Sequence, residues 1–258
     1  MAEEIVSHVD GGILRIEINR PEKKNALTAA MYSAMADALE RGQNDPAVRV
    51  VLIHGQQDIF TSGNDLQDFM NFNPNEPLES RPVYRFLRAM STAPKPIVAA
   101  VNGAAIGVGT TLLLHCDLVY AGESAVLQLP FVNLGLCPEA ASSHLLPRLA
   151  GHLRAAEMLL LGEPFPAHRA REIGLVNEVL PDTQVLERAL AKAHRLATQP
   201  PESVRITKQL LKQAEADTVE RAMAAEIKLF FERLTSAEAK EAFQAFLEKR
   251  KPDFSRFN

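Results

Sequence analysis

The sequence predicts an α/β fold followed by a helical C-terminal region. Residues Ile13–Ile18 alternate apolar and polar side chains, as a half-buried strand does. Short apolar runs at 50–53, 97–101 and 118–120 predict buried strands, and segments with helical or turn character separate them. After about Pro138 the helical spacing of apolar residues dominates. The helices predicted there are 152–161, 183–198, 203–214, 219–234 and 237–249.

Smaller signals refine these boundaries. Thr28 is expected to cap a helix that ends at Gly42, because a threonine hydroxyl accepts a hydrogen bond from a helix start and glycine often ends a helix. A polar loop rich in proline and asparagine is predicted around 71–82. No low-complexity linker interrupts the chain, so we divide it into a core, 1–199, and a C-terminal helical region, 200–258.

Composition excludes several classes of function. The 258 residues carry a formal charge of −4 with both signs mixed, so no basic face for nucleic acid is expected. The two cysteines show no metal-ligand spacing, which favours a reducing compartment. The uncharged run 96–116 contains Asn102 and three glycines, and we interpret it as a buried strand, turn and helix rather than a membrane span. Without a leader-like start or a peroxisomal ending, a cytoplasmic protein is expected.

Two turns that contain glycine each follow a predicted strand and open a helix. The first is 60–66 around Gly63, and the second is 101–109 around Gly107 and Gly109. Such turns expose backbone N–H groups, and two that converge on one point form an oxyanion hole. Spacing alone favours the alternative, two ordinary tight turns. A phosphate loop is not indicated, because neither GxGxxG nor GK[ST] occurs.

Five collinear segments extend this interpretation. They are KKNALT, IFTSGNDL, PKPIVAAVNGAAIGVGTTLLLHCDLVYA, LPFVNLGLCPEAASSHLLPRLAG and GEPFPAHRAREIGLVNEVLP. Together they resemble the crotonase (enoyl-CoA hydratase/isomerase) superfamily almost from end to end. The resemblance implies a spiral of strand–strand–helix turns whose C-terminal helices build trimers or hexamers. It also implies an acyl-CoA thioester substrate, with coenzyme A part of the substrate and neither a separate cofactor nor a metal.

The resemblance assigns site residues. It implies that the Ser62 and Val108 N–H groups hold the thioester oxygen. The valine, where glycine is usual, is expected to narrow the space beside it. Lys24 and the backbone of Ala26 and Leu27 are expected at the coenzyme A nucleotide. The other predicted substrate-binding residues are Gly63, Asn64, Asp65, Leu66, Gly107, Phe131 and Leu134, with Asp65 also a helix cap. Phe246, Lys249 and Lys251 could reach coenzyme A from a neighbouring subunit.

The carboxylates select the reaction. At the two positions where the hydratases of this superfamily carry glutamate, this chain has Thr111 and Phe131. Water addition needs two such groups, so hydration is not expected. The segment around Glu139 is similar to that of Δ3,Δ2-enoyl-CoA isomerases of the peroxisomal type, which implies that Glu139 is the single acid/base. Ala140 replaces a usual glycine, which leaves the shape of the acyl pocket open.

Each candidate side chain has a simpler interpretation. Glu139 after Pro138 could be an acid in the first turn of a helix, although its apolar neighbours would raise its pKa toward that of a useful base. Cys137 is interpreted as pocket lining or core, and His115 as a satisfied core or interface histidine. His144, five residues past Glu139, does not share its helical face.

Three hypotheses for function therefore stand. The first is a Δ3,Δ2-enoyl-CoA isomerase. The second keeps Glu139 but isomerises a ring or aromatic-derived acyl-CoA, and the third is a non-catalytic acyl-CoA binder.

Overall fold

The computed structural model describes residues 3–56, 58–70, 73 and 76–257. The strands in this part of the chain are short and lie in two sheets. They are β1 Ile5–Asp10, β2 Ile13–Ile18, β3 Val50–His54, β4 Ile59–Thr61, β5 Ile97–Val101, β6 Ala104–Ile106, β7 Leu118–Gly122, β8 Val126–Gln128, β9 Phe165–Pro166 and β10 Glu178–Leu180.

Helices make up most of the remainder. They are α1 Ala29–Asn44, α2 Leu66–Met70, α3 Pro82–Ser91, α4 Val108–Thr111, α5 Ser142–Ala150, α6 His152–Leu161, α7 Ala167–Glu172, α8 Val185–Ala197, α9 Pro201–Gln213, α10 Ala216–Leu234 and α11 Ala237–Leu247. Single 3-10 turns occur at Pro21–Lys23, Leu78–Ser80, Leu112–His115, Val132–Leu134 and Asp182–Gln184. The five helices predicted after Pro138 are confirmed, and α6 matches at both ends.

The strand order explains the shape of the core. The larger sheet runs β1-β2-β3-β5-β7-β10, and all of its pairs are parallel except β1 with β2. The smaller sheet runs β4-β6-β8-β9, with β4, β6 and β8 parallel. From β3 to β8, each successive pair of strands therefore gives one strand to each sheet before a helix follows. This is the predicted spiral of strand–strand–helix turns.

The start of α1 is as predicted, but its end is not. The Thr28 hydroxyl accepts a hydrogen bond from the Met31 N–H at 3.3 Å, so the cap is confirmed. The predicted stop at Gly42 is wrong, because α1 continues to Asn44. A Cβ at position 42 would overlap the Leu14 side chain. This glycine therefore lets α1 approach β2 closely.

Two apolar clusters cover the two faces of the larger sheet. Leu14, Ile16 and Ile18 point into the main cluster, whereas Ile13 joins a second cluster beneath α8. Val185 and Ala193 of α8 pack in this second cluster. Burying each such aliphatic side chain contributes about 2 kcal/mol.

The C-terminal helices join the main cluster through Met223, Phe230 and Phe243. Residues 200–258 thus share a core with the preceding part of the chain, and the boundary at 199 stays a prediction.

The uncharged run 96–116 forms β5, β6, α4 and a 3-10 turn, as interpreted from its glycines. No helix in the described ranges combines the length and apolarity that crossing a membrane requires. The predicted polar loop at 71–82 lies partly outside the described residues. Its described part holds the turn Leu78–Ser80 and the first residue of α3.

Candidate active site

Three parallel strands of the smaller sheet, β4, β6 and β8, end at one edge, and the predicted site lies there. The two glycine-bearing turns follow β4 and β6, and they contact each other. A Cβ on Gly63 would lie 2.8 Å from the Ile106 carbonyl oxygen, and one on Gly109 would lie 2.6 Å from Thr61 Cγ2. Glycine at these positions thus brings the two turns together, as the oxyanion-hole hypothesis requires.

The first turn uses its early N–H groups internally. The Ser62 N–H donates to the Lys24 carbonyl at 3.0 Å, and the Gly63 N–H donates to Thr61 Oγ1 at 3.1 Å. The Ser62 N–H is therefore not available to a thioester oxygen, and its assignment as an oxyanion donor is corrected. Gly63 has a φ of 90°, a conformation that side chains disfavour.

In the first turn, the N–H group that is available to a substrate oxygen belongs to Asn64 and not to Ser62. Leu27 and Asn64 form a parallel bridge, in which the Leu27 N–H donates to the Gly63 carbonyl and the Asp65 N–H to the Leu27 carbonyl. In a parallel bridge of this kind, the N–H and the carbonyl of Asn64, which lies between the two bonded residues, point away from Leu27. Its side chain is held as well, because the Tyr32 hydroxyl donates to Asn64 Oδ1 at 2.6 Å.

Asp65 is the predicted cap. Its Oδ1 accepts the Gln67 N–H at 2.9 Å at the start of α2, and its Oδ2 pairs with Arg20 Nη1 at 2.7 Å. Leu66, the first residue of α2, packs partly buried against the main cluster. The arginine hydrogen bond is the main factor that outweighs burial and lowers the pKa of Asp65.

The residues predicted for the coenzyme A nucleotide brace this turn. Lys24 is exposed and left-handed, with a φ of 52°. The Ala26 carbonyl accepts from Arg20 Nη1 at 2.9 Å, and the Ala26 N–H donates to Lys23. Leu27 is buried, and both its backbone groups are engaged by the first turn. Contact of these residues with coenzyme A stays a prediction.

The backbone conformation of the second turn leaves one N–H without an acceptor in its own helix. Gly107 has φ 57° and ψ −117°, a conformation that only glycine adopts readily, and Val108 begins α4. A first helical residue has no acceptor within its own helix, so the Val108 N–H is free for a substrate oxygen. The Val108 side chain is buried in the main cluster, and the expected narrowing of the space beside it stays a prediction.

Glu139 lies in the segment that leads from β8 to α5. It does not belong to the first turn of a helix, because α5 begins at Ser142, and that simpler interpretation is wrong. Its carboxylate is fully buried. The Thr111 hydroxyl is 3.5 Å from Oε1, and Oε2 has no hydrogen-bond partner among the described residues. Burial, with the nearby charge of Glu226, raises the pKa of Glu139 to about 8.

The contact between Thr111 and Glu139 joins two of the predicted positions. Thr111 lies on α4, three residues after Val108. It occupies the position at which the resemblance implies that hydratases carry a glutamate. The structure thus seats the carboxylate beside the helix that carries the second turn. Phe131, the other position without a carboxylate, is buried and meets Phe230 edge to face at 6.3 Å.

An aromatic group adjoins these residues. Phe69 of α2 lies 5.9 Å from both Phe230 of α10 and Phe243 of α11, measured between ring centroids. Phe131 completes the group from the segment after β8, where Leu134 is partly buried against the same cluster. Phe131, Phe230 and Phe243 are buried in the main cluster, and Phe69 packs partly buried against it.

The remaining candidates have structural roles. Burial raises the pKa of the Cys137 thiol to about 11, which disfavours the thiolate, and Cys137 packs partly buried against the main cluster. His115 is buried and donates from Nε2 to the Ala140 carbonyl at 2.8 Å, as a satisfied core histidine. His144 pairs instead with Glu215 at 2.9 Å. Phe246, Lys249 and Lys251 are exposed, and a contact with a neighbouring subunit stays a prediction.

Sequence reasoning missed Tyr32 and Glu226. Glu226 is a buried carboxylate on α10, and it falls on the apolar stripe with Met223, Ile227 and Phe230. An acidic residue on an apolar helix face is unusual, so the sequence did contain a signal for a buried carboxylate at this position. Tyr32 gave no comparable signal, because its partner Asn64 is distant along the chain.

A cavity of about 770 Å³ opens between α3, α9 and α10. It is lined by side chains of both signs and contains neither glycine-bearing turn nor Glu139. We therefore keep the candidate site at the edge of the smaller sheet.

Comparison with known proteins agrees with this geometry. The sequence model described as Enoyl-CoA hydratase/isomerase matches residues 8–256. The chain belongs to this family, the crotonases, as its sequence predicted. The 1,2-epoxyphenylacetyl-CoA isomerase of Escherichia coli K12 is 36% identical over 99% of both chains. The enoyl-CoA delta isomerase 2 of Rattus norvegicus is 36% identical over 94% of this chain and 63% of its own.

A solved structure shows the same fold. The Pseudomonas aeruginosa protein OdaA is 49% identical, with a TM-score of 0.92 over 95% of this chain and 99% of its own. Relatives of comparable identity include isomerases and hydratases alike. The comparisons therefore support an acyl-CoA isomerase or hydratase of the crotonase family.

Proposed function

We propose that this chain is a Δ3,Δ2-enoyl-CoA isomerase in which Glu139 is the single acid/base. The observation that carries the proposal is the buried Glu139 carboxylate, which lies against Thr111 on the helix that carries the second turn. A base of this kind needs a pKa near the working pH, and burial provides it.

The reaction divides between the turns and the carboxylate. Ionised Glu139 removes a proton from C2 of a 3-enoyl thioester, and the electron pair moves onto the thioester oxygen. The N–H groups of Val108 and Asn64 donate to that oxygen, and removing such a donor costs about 10² to 10³ in turnover. Glu139 then returns the proton to C4, which gives the conjugated 2-enoyl thioester and restores the base.

A second candidate keeps the same residues but takes a ring. The name of the Escherichia coli relative, 1,2-epoxyphenylacetyl-CoA isomerase, favours it. In this version Glu139 moves a proton within a ring or aromatic-derived acyl-CoA.

Two other functions have less support. Hydration lacks the paired carboxylates, since Thr111 and Phe131 occupy their positions. A non-catalytic binder would have no use for a carboxylate buried without a full set of partners, which costs stability.

The test compares Glu139→Gln with the wild type on 3-hexenoyl-CoA. We expect turnover to fall by about 10² to 10⁴ while coenzyme A affinity is kept, because the amide preserves shape but cannot accept the proton. Glu163→Gln, an exposed glutamate elsewhere, is the matched control and should leave turnover unchanged.

Unchanged turnover in Glu139→Gln would remove Glu139 as the base. Efficient hydration of crotonyl-CoA by the wild type would replace isomerisation with hydration. A strong preference for a ring-bearing acyl-CoA over 3-hexenoyl-CoA would select the second candidate.

A further inference from the structure

A second buried carboxylate holds the segment that carries Glu139. Glu226 on α10 is only 6% exposed, and its Oε1 accepts the Ser143 N–H at 2.9 Å. Ser143 lies in the first turn of α5, whose N-cap is Ala141, a residue with no side-chain acceptor. The first N–H groups of a helix need an acceptor, and here a carboxylate from another helix supplies it.

The segment in question is strained and needs such restraint. Ala140 and Ala141 both have left-handed backbones, with φ of 58° and 56°. Residues that carry a Cβ disfavour this conformation, and two in succession persist only if their surroundings fix them. His115 donates a hydrogen bond to the Ala140 carbonyl, and Glu226 accepts one from the N–H of Ser143 at the start of α5. These two hydrogen bonds restrain the segment at Ala140 and just after Ala141. Glu139 directly precedes this pair of alanines.

The same carboxylate also places charge beside the base. The Oε2 atoms of both Glu139 and Glu226 are buried and have no hydrogen-bond partner among the described residues. Burial raises the pKa of Glu226 above its usual value, and the hydrogen bond from the Ser143 N–H opposes that rise. Glu139 has only the Thr111 hydroxyl, at 3.5 Å. Of the two acids, Glu226 therefore ionises first.

We infer that Glu226 is a positioning residue for Glu139: it fixes the turn that presents the base and keeps a negative charge next to it. The inference rests on the proposed function, since it concerns the base of that reaction. It adds a residue of the C-terminal helical region to the working site. It assigns Glu226 no contact with substrate.

The other titratable groups nearby stay uncharged over the working pH range. Burial raises the pKa of Tyr32 well above its usual value and that of Cys137 to about 11, and it lowers that of His115 to about 4. His144 faces Glu226 and is paired with Glu215. A change in the pH dependence of turnover between pH 5 and 9 therefore reports on Glu139 and Glu226.

The direction of the expected change follows from charge. A neighbouring negative charge raises the pKa of a carboxyl group, so removing it lowers that pKa. Burial is the larger cause of the raised pKa of Glu139, and it remains after the substitution. Activity requires ionised Glu139, so the acidic limb of kcat/KM should move to lower pH without returning to that of an exposed glutamate.

Three variants separate position from charge. Glu226→Gln keeps an oxygen that can accept the Ser143 N–H but has no charge, and Glu226→Ala lacks both. Glu232→Gln makes the same change at an exposed position of the same helix and serves as the control. The assay is kcat and KM for 3-hexenoyl-CoA from pH 5.5 to 9.5, with circular dichroism as the check on folding.

We expect the acidic limb of Glu226→Gln to shift by roughly one pH unit toward acid, with its plateau turnover within a few-fold of wild type. Glu226→Ala should lose about 10²-fold in kcat with little change in KM, because the base is displaced while the binding residues are intact. Glu232→Gln should match the wild type. If Glu226→Ala does not fold, the profile of Glu226→Gln still decides the question.

A wild-type pH profile in Glu226→Gln, or wild-type turnover in folded Glu226→Ala, overturns the inference. The Glu139→Gln variant separates this failure from failure of the proposed function. If that variant is inactive and the Glu226 variants behave as wild type, only the role of Glu226 is lost. If Glu139→Gln is fully active, the proposed function fails first.

Discussion

The Tyr32 hydroxyl donates to Asn64 Oδ1 at 2.6 Å and so ties α1 to the first glycine-bearing turn. Tyr32 is buried, and the charge of Glu139 is one of the causes that raise its pKa. The Tyr32 side chain thus contacts the first glycine-bearing turn and lies within the electric field of Glu139.

Removal of this hydroxyl should loosen the turn. We expect Tyr32→Phe to lower kcat about tenfold, because the Asn64 N–H loses its fixed direction. The lost hydrogen bond should reduce the free energy of unfolding by about 1 kcal/mol. Steady-state kinetics with 3-hexenoyl-CoA and urea unfolding measure the two effects. Tyr120→Phe, at a buried strand position, is the control, and an equal loss of turnover there would contradict the prediction.

The burial of Glu139 should affect the pH dependence of the free energy of unfolding as well as catalysis. Its pKa is raised from 4.5 to about 8, so the folded state binds this proton more tightly than the unfolded state does. The contribution is fully present below pH 4.5 and is lost as pH rises through 8. The glutamine in Glu139→Gln does not titrate. We therefore expect the free energy of unfolding of this variant, relative to the wild type, to increase with pH, by on the order of a few kcal/mol at pH 9. Urea unfolding at pH 6 and pH 9 measures this, and a constant difference would contradict it.

The close contact of the two turns predicts a contrast between two glycines. Gly63→Ala would set a Cβ 2.8 Å from the Ile106 carbonyl, at a φ of 90°, and should lower turnover by at least about 10². Gly151→Ala has a similar φ of 82° but meets no atom within 4 Å. It should cost about 1 kcal/mol of stability and leave kcat unchanged. Equal losses of turnover would show that backbone strain, and not the contact, matters.

The exposed leucines of α6 predict self-association, in line with the expected trimer or hexamer. Leu153 is 83% exposed and Leu160 is 69% exposed, seven residues apart on one helix face. We expect Leu153→Asp combined with Leu160→Asp to give monomers in sedimentation velocity at micromolar concentration. Val9→Asp, at an exposed position on β1, should not. A monomeric wild type would contradict the prediction.

Strand β2 was predictable from its alternation, and β3, β5 and β7 were predictable because each contains a continuous apolar run. The strands of the smaller sheet were not, since β4 and β6 have three residues each and merge with the glycine turns. Helix α3 was missed although Val83, Phe86, Leu87 and Met90 recur at helical spacing. There the surrounding polar loop obscured a signal that the sequence contained.

Site candidates were easier to predict where a single segment determines their position. Val108 begins α4 directly after Gly107, and Glu139 is buried in the segment between β8 and α5, while the roles of both stay proposals. The error at Ser62 arose because the direction of its N–H depends on the Lys24 carbonyl, which a distant turn supplies. Glu226 is likewise separated from Ser143 by 83 residues, and no local pattern reports such a contact.

That separation makes the proposed site depend on a late part of the chain. Ser143 at the start of α5 is synthesised 83 residues before Glu226, which accepts its N–H. A chain that ends before α10 contains both glycine turns but lacks this contact. If Glu226 holds Glu139 as inferred, the proposed chemistry therefore requires α10 as well as the two sheets.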